Sequence, residues 1–171
     1  MGEMAQKIIK INKEDLLKEL NVAFAEEWLA YYQYWIGAQV IVGPMRPNII
    51  DEFLEHANQE LKHAQWVSDR IIQLGGTPVL DPQDWKSVAK CKYDAPELPY
   101  SMNLLEQNLE AERCAIARYQ KICDMTFGKD VATYRMAEKI LKEEIEHEQE
   151  IGDFKDDIIE TMTLGATKQE F

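Results

Sequence analysis

The sequence predicts an all-α fold: four long helices forming an antiparallel bundle, built as two hairpins joined by one long crossover. Three observations carry this prediction. The 171 residues include 8 Gly and 6 Pro, and these fall mostly between long segments of Leu, Ile, Ala, Glu, Lys and Gln, which are good helix formers. In four of those segments the apolar residues step by three and four, the spacing of a buried bundle seam. Four of the six prolines lie in Thr77 to Tyr100, a stretch too long for a tight turn and long enough to run the height of a bundle. One domain covering residues 1–171 is the default at this length, and a sizeable core can be buried.

Taken in order, residues 1–12 read as a partly ordered, flexible N-terminal tail whose lysines, Lys7, Lys10 and Lys13 at its edge, are diluted by Glu3 and Glu14. The first long helix starts at Asn12 to Glu14, with Asn12 as N-cap, and stops at Gly43-Pro44. Its inward stripe reads Leu20, Phe24, Glu27, Tyr31, Tyr34, Ala38, Ile41. The short stretch to Asn48, a candidate cap, returns the second helix antiparallel beside the first. That seam reads Phe53, His56, Glu60, His63, Val67, then Arg70 or Ile71, and Leu74 before Gly75-Gly76. The crossover follows, with a short helix at Pro82 to Ala89 capped by Asp81. The third helix runs from Ser101 to Phe127-Gly128 and places Leu105, Leu109, Glu112, Ile116, Tyr119 and Cys123 inward. The fourth starts near Asp130 and presents Ala137, Ile140, Glu144, His147, Ile151, Phe154 and Ile158. The few residues after Gly165 leave little room for a fifth.

The formal charge of −12 argues against a general nucleic-acid or anionic-membrane binder. The sequence has no apolar run of membrane-spanning length and no signal-peptide block at its start. Its three cysteines do not make a secreted disulfide framework, so a cytoplasmic location is expected.

The chemistry lies in two four-residue pieces, Glu60-Leu61-Lys62-His63 and Glu144-Ile145-Glu146-His147. Each places a carboxylate and an imidazole three residues apart, on one helix face. Each also has a lone seam glutamate on the preceding helix: Glu27 is 33 residues before Glu60, and Glu112 is 32 before Glu144. A tyrosine follows each lone glutamate after seven residues, at Tyr34 and Tyr119. A single Glu-x-x-His in a Glu-rich helix is usually an accident of composition on a solvated face. Here two of only three histidines repeat it with near-equal spacing to a seam carboxylate. Four carboxylates and two imidazoles meeting in a bundle core are the ligand set of a paired metal site, with Glu60 and Glu144 bridging and Glu27 and Glu112 terminal. Oxygen-rich ligation with one imidazole per ion suits iron or manganese, with zinc possible. Two divalent cations would also neutralise four carboxylates whose burial is otherwise costly. Tyr34 and Tyr119 are candidates for hydrogen bonds to the ligands or for electron donation. His56 reads as a core histidine, with a further metal or supporting role as the alternative. Trp28, Tyr31, Trp35 and Trp66 read as packing or subunit contacts.

With these residues in view, the chain resembles the ferritin superfamily over about Asp15 to Leu164, and within it the Dps-like branch also called thioferritins. The supporting segments are Glu26-Glu27-Trp28-Leu29-Ala30-Tyr31-Tyr32-Gln33-Tyr34, the two Glu-x-x-His pieces, and Glu112-Arg113-Cys114-Ala115-Ile116. The resemblance implies a ferritin-like bundle and a ligand set like that of bacterioferritin, within one subunit. Bacterioferritin carries a haem-binding Met directly after the second-helix glutamate. This chain has Leu61 there, so no haem is expected. The resemblance further implies self-association into a hollow shell of twelve subunits and a redox pair of cysteines, Cys91 and Cys114. An ordinary loop thiol and a surface thiol are the alternative for that pair. Cys123 reads as a core residue.

The function so implied is a ferroxidase and iron store, protective under oxidative stress, that oxidises Fe(II) with H2O2 or O2 at two iron ions per subunit. Two rivals remain at this level. One is a peroxidase like rubrerythrin or a manganese catalase without mineral. The other is a DNA-coating protector, against which the acidic balance counts.

Overall fold

The computed structural model describes residues 3–167. A short helix α1 (Met4–Lys7) precedes α2 (Lys13–Val40) and α3 (Arg46–Gln73). A 3-10 turn (Pro82–Asp84) runs into α4 (Trp85–Val88), followed by α5 (Ser101–Thr126) and α6 (Val131–Thr167). Helices α2 and α3 pack as one hairpin and α5 and α6 as the other; α2 meets α5 and α3 meets α6 where the hairpins dock. This is the predicted all-α bundle with one long crossover. Among the described residues no helix is long and apolar enough to cross a membrane.

The helix boundaries follow from local chemistry. The Asn12 side chain accepts from the backbone N–H groups of Glu14 and Asp15 at 2.9 and 3.1 Å. Those two acids also sit favourably in the positive first turn of α2. The second boundary differs from the expectation. Asn48 is not the cap, because α3 already begins at Arg46, with Met45 in the cap position at φ 57° and Pro47 in the first turn. Proline fits there because its missing N–H would be unpaired anyway. Asp81 does cap the crossover turn, accepting from Gln83 N at 2.9 Å. Val42 pins the crossover's end by accepting from Ser101 N and donating to Pro99 O, both at 2.8 Å. Gly43, at φ 113°, lies so close to Ser101 and Tyr100 that a Cβ would clash.

The opening stretch packs more than a flexible tail would. Lys10 N donates to Lys129 O at 2.9 Å, and Ile9 and Ile11 lie against the core. At the other end, the tail beyond α6, including the expected absence of a fifth helix, lies outside the described residues.

The core is two apolar blocks with a polar layer between them. One block gathers Leu16, Leu20, Val67, Ile71, Ile122 and Ile140. The other gathers Ile41, Ile49, Phe53, Leu104, Leu105, Ile151 and Ile158. Each such buried side chain contributes about 1.5–3 kcal/mol. The two blocks clamp the four helices together above and below the layer that holds the charged residues.

Candidate metal centre

The seam registers bring all six predicted groups into that layer. Glu27 comes from α2, Glu60 and His63 from α3, Glu112 from α5, and Glu144 and His147 from α6; none is more than 3 % exposed. His63 Nδ1 lies 3.1 Å from Glu144 Oε1, 3.4 Å from Glu60 Oε2 and 3.5 Å from Glu27 Oε2. His147 Nδ1 lies 3.2 Å from Glu60 Oε1, 3.4 Å from Glu144 Oε2 and 3.7 Å from Glu112 Oε2. Glu60 and Glu144 therefore each turn one oxygen to each ring, whereas Glu27 and Glu112 each serve one ring. The two imidazole centroids are 6.2 Å apart.

The donor atoms at the middle are not satisfied by one another. Glu27 Oε2, Glu60 Oε1, both oxygens of Glu144, and Nδ1 of His63 and of His147 are buried without a hydrogen-bond partner among the described residues. Buried polar groups normally find partners, so six orphaned atoms aimed at two adjoining points fit cations as the missing partners. These groups form two ligand sets, Glu27–Glu60–His63–Glu144 and Glu60–Glu112–Glu144–His147, each with donor atoms mutually within 4.8 Å. They could hold metal ions.

Groups around the centre hold the ligands in place. Tyr34 on α2 donates to Glu112 on α5, and Tyr119 on α5 donates to Glu27 on α2. His63 Nε2 lies 2.7 Å from Glu143 Oε2, and His147 Nε2 lies 2.7 Å from Gln59 Oε1. Each ring is thus oriented from behind with Nδ1 facing inward. Sequence reasoning missed Glu143 and Gln59, since each lies just off the inward stripe.

The electrostatics follow from burial and from who faces whom. Burial drives the Glu27 and Glu112 carboxyls well above the usual range, with His63 and His147 respectively opposing it. Burial pushes Glu60 and Glu144 up, and the charge of Glu60 pushes Glu144 further, but the two imidazoles close against them outweigh this and leave both low. Burial would lower His63 and His147. The surrounding carboxylates win, Glu144 foremost for His63 and Glu112 for His147, and both rings are strongly raised. Burial raises both tyrosines, and the nearby carboxylates add to it.

His56 is 1 % exposed and stacks on His147 at 4.0 Å between centroids. Burial first, and the charge of His147 second, push it down to about 4. The core-histidine expectation holds at one nitrogen only: Nε2 meets Glu150 at 3.0 Å, while Nδ1 has no partner among the described residues.

Cys91 and Cys114 are joined by a disulfide, and Cys123 is free and buried. The bond fastens the crossover to α5 beside a cavity lined by Cys91, Arg118 and the four carboxylates of the centre. Glu26 reinforces it, accepting from the backbone N–H groups of Lys90 and Cys91 at 2.7 and 2.8 Å and from Arg118 Nε at 2.8 Å. Sequence reasoning missed Glu26, which lies one residue off the inward stripe that carries Glu27. Of the aromatic residues, Trp28 stacks on Trp85 at 5.1 Å, and Trp66 lies under Lys139 Nζ at 3.8 Å. Trp35 is 40 % exposed beside Tyr32.

The chain is similar to known proteins over most of its length. The ferritin-like domain model matches residues 17–160. A protein of Pyrococcus furiosus named DNA protection during starvation protein is 42 % identical over 141 residues, covering 81 % of this chain and 75 % of that protein. The solved dodecameric thioferritin of Bacteroides fragilis, described as a bacterioferritin-related protein, is 49 % identical with a TM-score of 0.93. That match covers 95 % of this chain and 98 % of the other. Dps from Thermosynechococcus elongatus shares the fold at a TM-score of 0.79 with 18 % identity, covering 88 % and 94 % of the two chains.

Proposed function

The chain belongs to the ferritin-like family, in its Dps-like branch, and on that premise we propose that it is a ferroxidase that takes up Fe(II) as substrate at a paired site inside one subunit. One observation carries the reading: Glu60 and Glu144 each present an oxygen to both imidazoles, and the inward donor atoms have no other partner among the described residues. Two Fe(II) ions would sit there, with Glu60 and Glu144 bridging, Glu27 and His63 completing one position, and Glu112 and His147 the other. Manganese or zinc fits the same donors. The set is rich in carboxylate oxygen, which favours the oxidised ion as charge develops.

In the reaction each of two Fe(II) gives one electron to a single H2O2, which takes up two protons and leaves as two waters. Passing both electrons together avoids releasing hydroxyl radical, which is the protective side of the chemistry. O2 is the alternative oxidant. Tyr34 and Tyr119 fix the terminal carboxylates, are placed to donate an electron, and keep Glu112 and Glu27 pointed inward. The Cys91–Cys114 pair is a redox couple beside the cavity that reaches the centre. By likeness to the dodecameric Bacteroides fragilis thioferritin, the chain assembles into a twelve-subunit shell that stores the oxidised iron.

The test is stopped-flow oxidation of Fe(II) by H2O2, with particle mass measured alongside. The wild-type protein should oxidise about two Fe(II) per chain in a fast phase. Glu60→Ala with Glu144→Ala should lose that phase; an unchanged rate would place the chemistry elsewhere. A manganese-loaded protein that dismutates peroxide without storing mineral would instead support the catalase-like reading. The relative named for DNA protection raises a DNA-coating role, which the charge of −12 opposes. A gel shift at moderate salt decides between them.

A further inference from the structure

The crossover segment 90–94 lies over the paired centre and is fastened at both ends by α2. Glu26 Oε1 accepts from Lys90 N and Cys91 N at 2.7 and 2.8 Å. Gln33 Oε1, seven residues on, accepts from Asp94 N at 2.9 Å. Gln33 is held in turn by donating to Asn108 Oδ1 on α5 at 3.1 Å, and the Cys91–Cys114 bond ties the same segment to α5. Cys91, Lys92 and Tyr93 thus roof a space between α2 and α5.

That space is narrow and leads inward. Its volume is about 30 Å³, room for a molecule the size of water or H2O2. Its outer end is at Lys92, whose side chain is 85 % exposed, and its inner end at Glu60 and Glu144, which are 2 % and 0 % exposed. The walls between are alkyl: Leu29 and Ala30 on α2, Ala111 and Ala115 on α5. Charge at the rim is taken up in internal pairs, since Arg118 donates to Glu26 and Glu19, and Lys121 to Glu19. Of the six buried ligands, the four carboxylates line the space, and the two imidazoles are not among its described lining residues. Glu27 Oε2, Glu60 Oε1 and both oxygens of Glu144 have no hydrogen-bond partner among the described residues. The space therefore ends on atoms that are free to ligate.

A hydrated divalent ion on this route would have to shed its water against alkyl walls, which leaves a charge unsolvated. A small neutral molecule meets no such cost. We propose that the space is the port by which the neutral oxidant, H2O2, reaches the metal pair, separate from the path of the cation, and that Ala30 and Ala115 set its width. The port rests on the paired-site reading above. The two alanines decide which oxidant passes and touch no reacting atom. A larger side chain at either narrows the passage and leaves all six ligands in place.

Sequential-mixing stopped flow separates the port from the centre. The full chain is loaded with about two Fe(II) in anaerobic buffer and then mixed with H2O2. Ala115→Leu and Ala30→Leu should each slow this oxidation about tenfold. The rate and stoichiometry of Co(II) uptake, followed by its visible absorption, should stay those of the wild type. tert-Butyl hydroperoxide carries the same O–O bond on a wider body. Referred to its rate with free Fe(II), it should oxidise the wild-type centre about tenfold more slowly than H2O2. Variants that keep Co(II) uptake and match the wild-type rate with H2O2 would overturn the port and leave the paired centre standing. Equal relative rates for the two peroxides would do the same. Co(II) uptake slowed in step with oxidation in both variants would overturn the separation of the two paths. A wild type that takes up no Co(II) at the six ligands would overturn the paired centre itself. The two variants probe opposite walls, so if one fails to fold the other still decides.

Discussion

Two of the places where the protein buries charge treat it in opposite ways. At the end of the bundle where α3 meets the start of α6, Arg70 donates through Nη2 to both oxygens of Asp130 at 2.9 and 2.8 Å, and through Nε to Thr133 Oγ1 at 2.7 Å. Thr133 returns its hydroxyl and its N–H to Asp130. That cluster is neutral and internally complete. At mid-bundle, four carboxylates face two imidazoles and six inward atoms go without a hydrogen bond among the described residues. A complete cluster holds helices together, whereas an incomplete one has chemistry left to do with something the chain does not supply.

The sharpest way to break this contrast is to remove one partner from each cluster. Asp130→Ala leaves a buried guanidinium unpaired and should cost about 3–5 kcal/mol in urea unfolding, with Fe(II) oxidation intact in the folded fraction. Glu144→Ala should cost the metal-free protein less than that, because Glu144 faces the His63 and His147 imidazoles but also crowds Glu60. A Glu144→Ala loss as large as that of Asp130→Ala would mean the central cluster is structural too.

The second measurement adds a metal ion to the six buried ligands. Mn(II) at about a hundred times its dissociation constant should stabilise the wild type by about 2.7 kcal/mol per independent site, and the Glu60→Ala, Glu144→Ala variant far less. Equal shifts would assign the effect to surface carboxylates.

A smaller effect is expected at the tyrosines. Tyr34→Phe and Tyr119→Phe each remove a hydrogen bond to a buried carboxyl and should cost about 1.5 kcal/mol. They should also weaken metal binding, more for the position whose terminal glutamate is freed. Unchanged Mn(II) affinity in both variants would show that the hydrogen bonds do not orient the ligands.

The smallest effect lies in acid. Burial would raise Asp130, but hydrogen bonds from Thr133 and Arg70 hold it below the ordinary aspartate value. Its folded-state pKa is depressed, so its contribution is present above the unfolded value of about 3.9 and is lost as pH falls through the folded one. The stability gap between wild type and Asp130→Asn should therefore narrow below about pH 4. A constant gap would mean that the ion pair is not its source.

These two clusters also show what can be read from sequence. The six central residues were legible because helix geometry fixes which residues share a face, and a charge on an apolar stripe is conspicuous. The repeat between halves also matches Glu60 with Glu144, each of which turns one oxygen to each imidazole, and Glu27 with Glu112, each of which serves one. Face alone does not give register between helices, so the pairing of His63 with Glu143 and of His147 with Gln59 could not be seen. Arg70 stood beside Ile71 as a seam alternative, and both are buried; its partners lie some sixty residues away. The misplaced cap at Asn48 has a local cause. Met45 adopts a left-handed conformation that the sequence does not announce, and Pro47 then fits the first turn. The opening residues looked polar enough to float, but Ile9 and Ile11 find apolar neighbours that exist only once the bundle has formed.

The crossed tyrosines carry a consequence for how activity is born. Each hairpin contributes a terminal glutamate whose orientation is set by a hydroxyl from the opposite hairpin, Tyr119 for Glu27 and Tyr34 for Glu112. Neither half can preassemble a working cradle, so competence arrives all at once when the halves mate. A nascent or split chain would expose its carboxylates without aiming them, and any capture of metal ions by the full ligand set would wait until folding is finished.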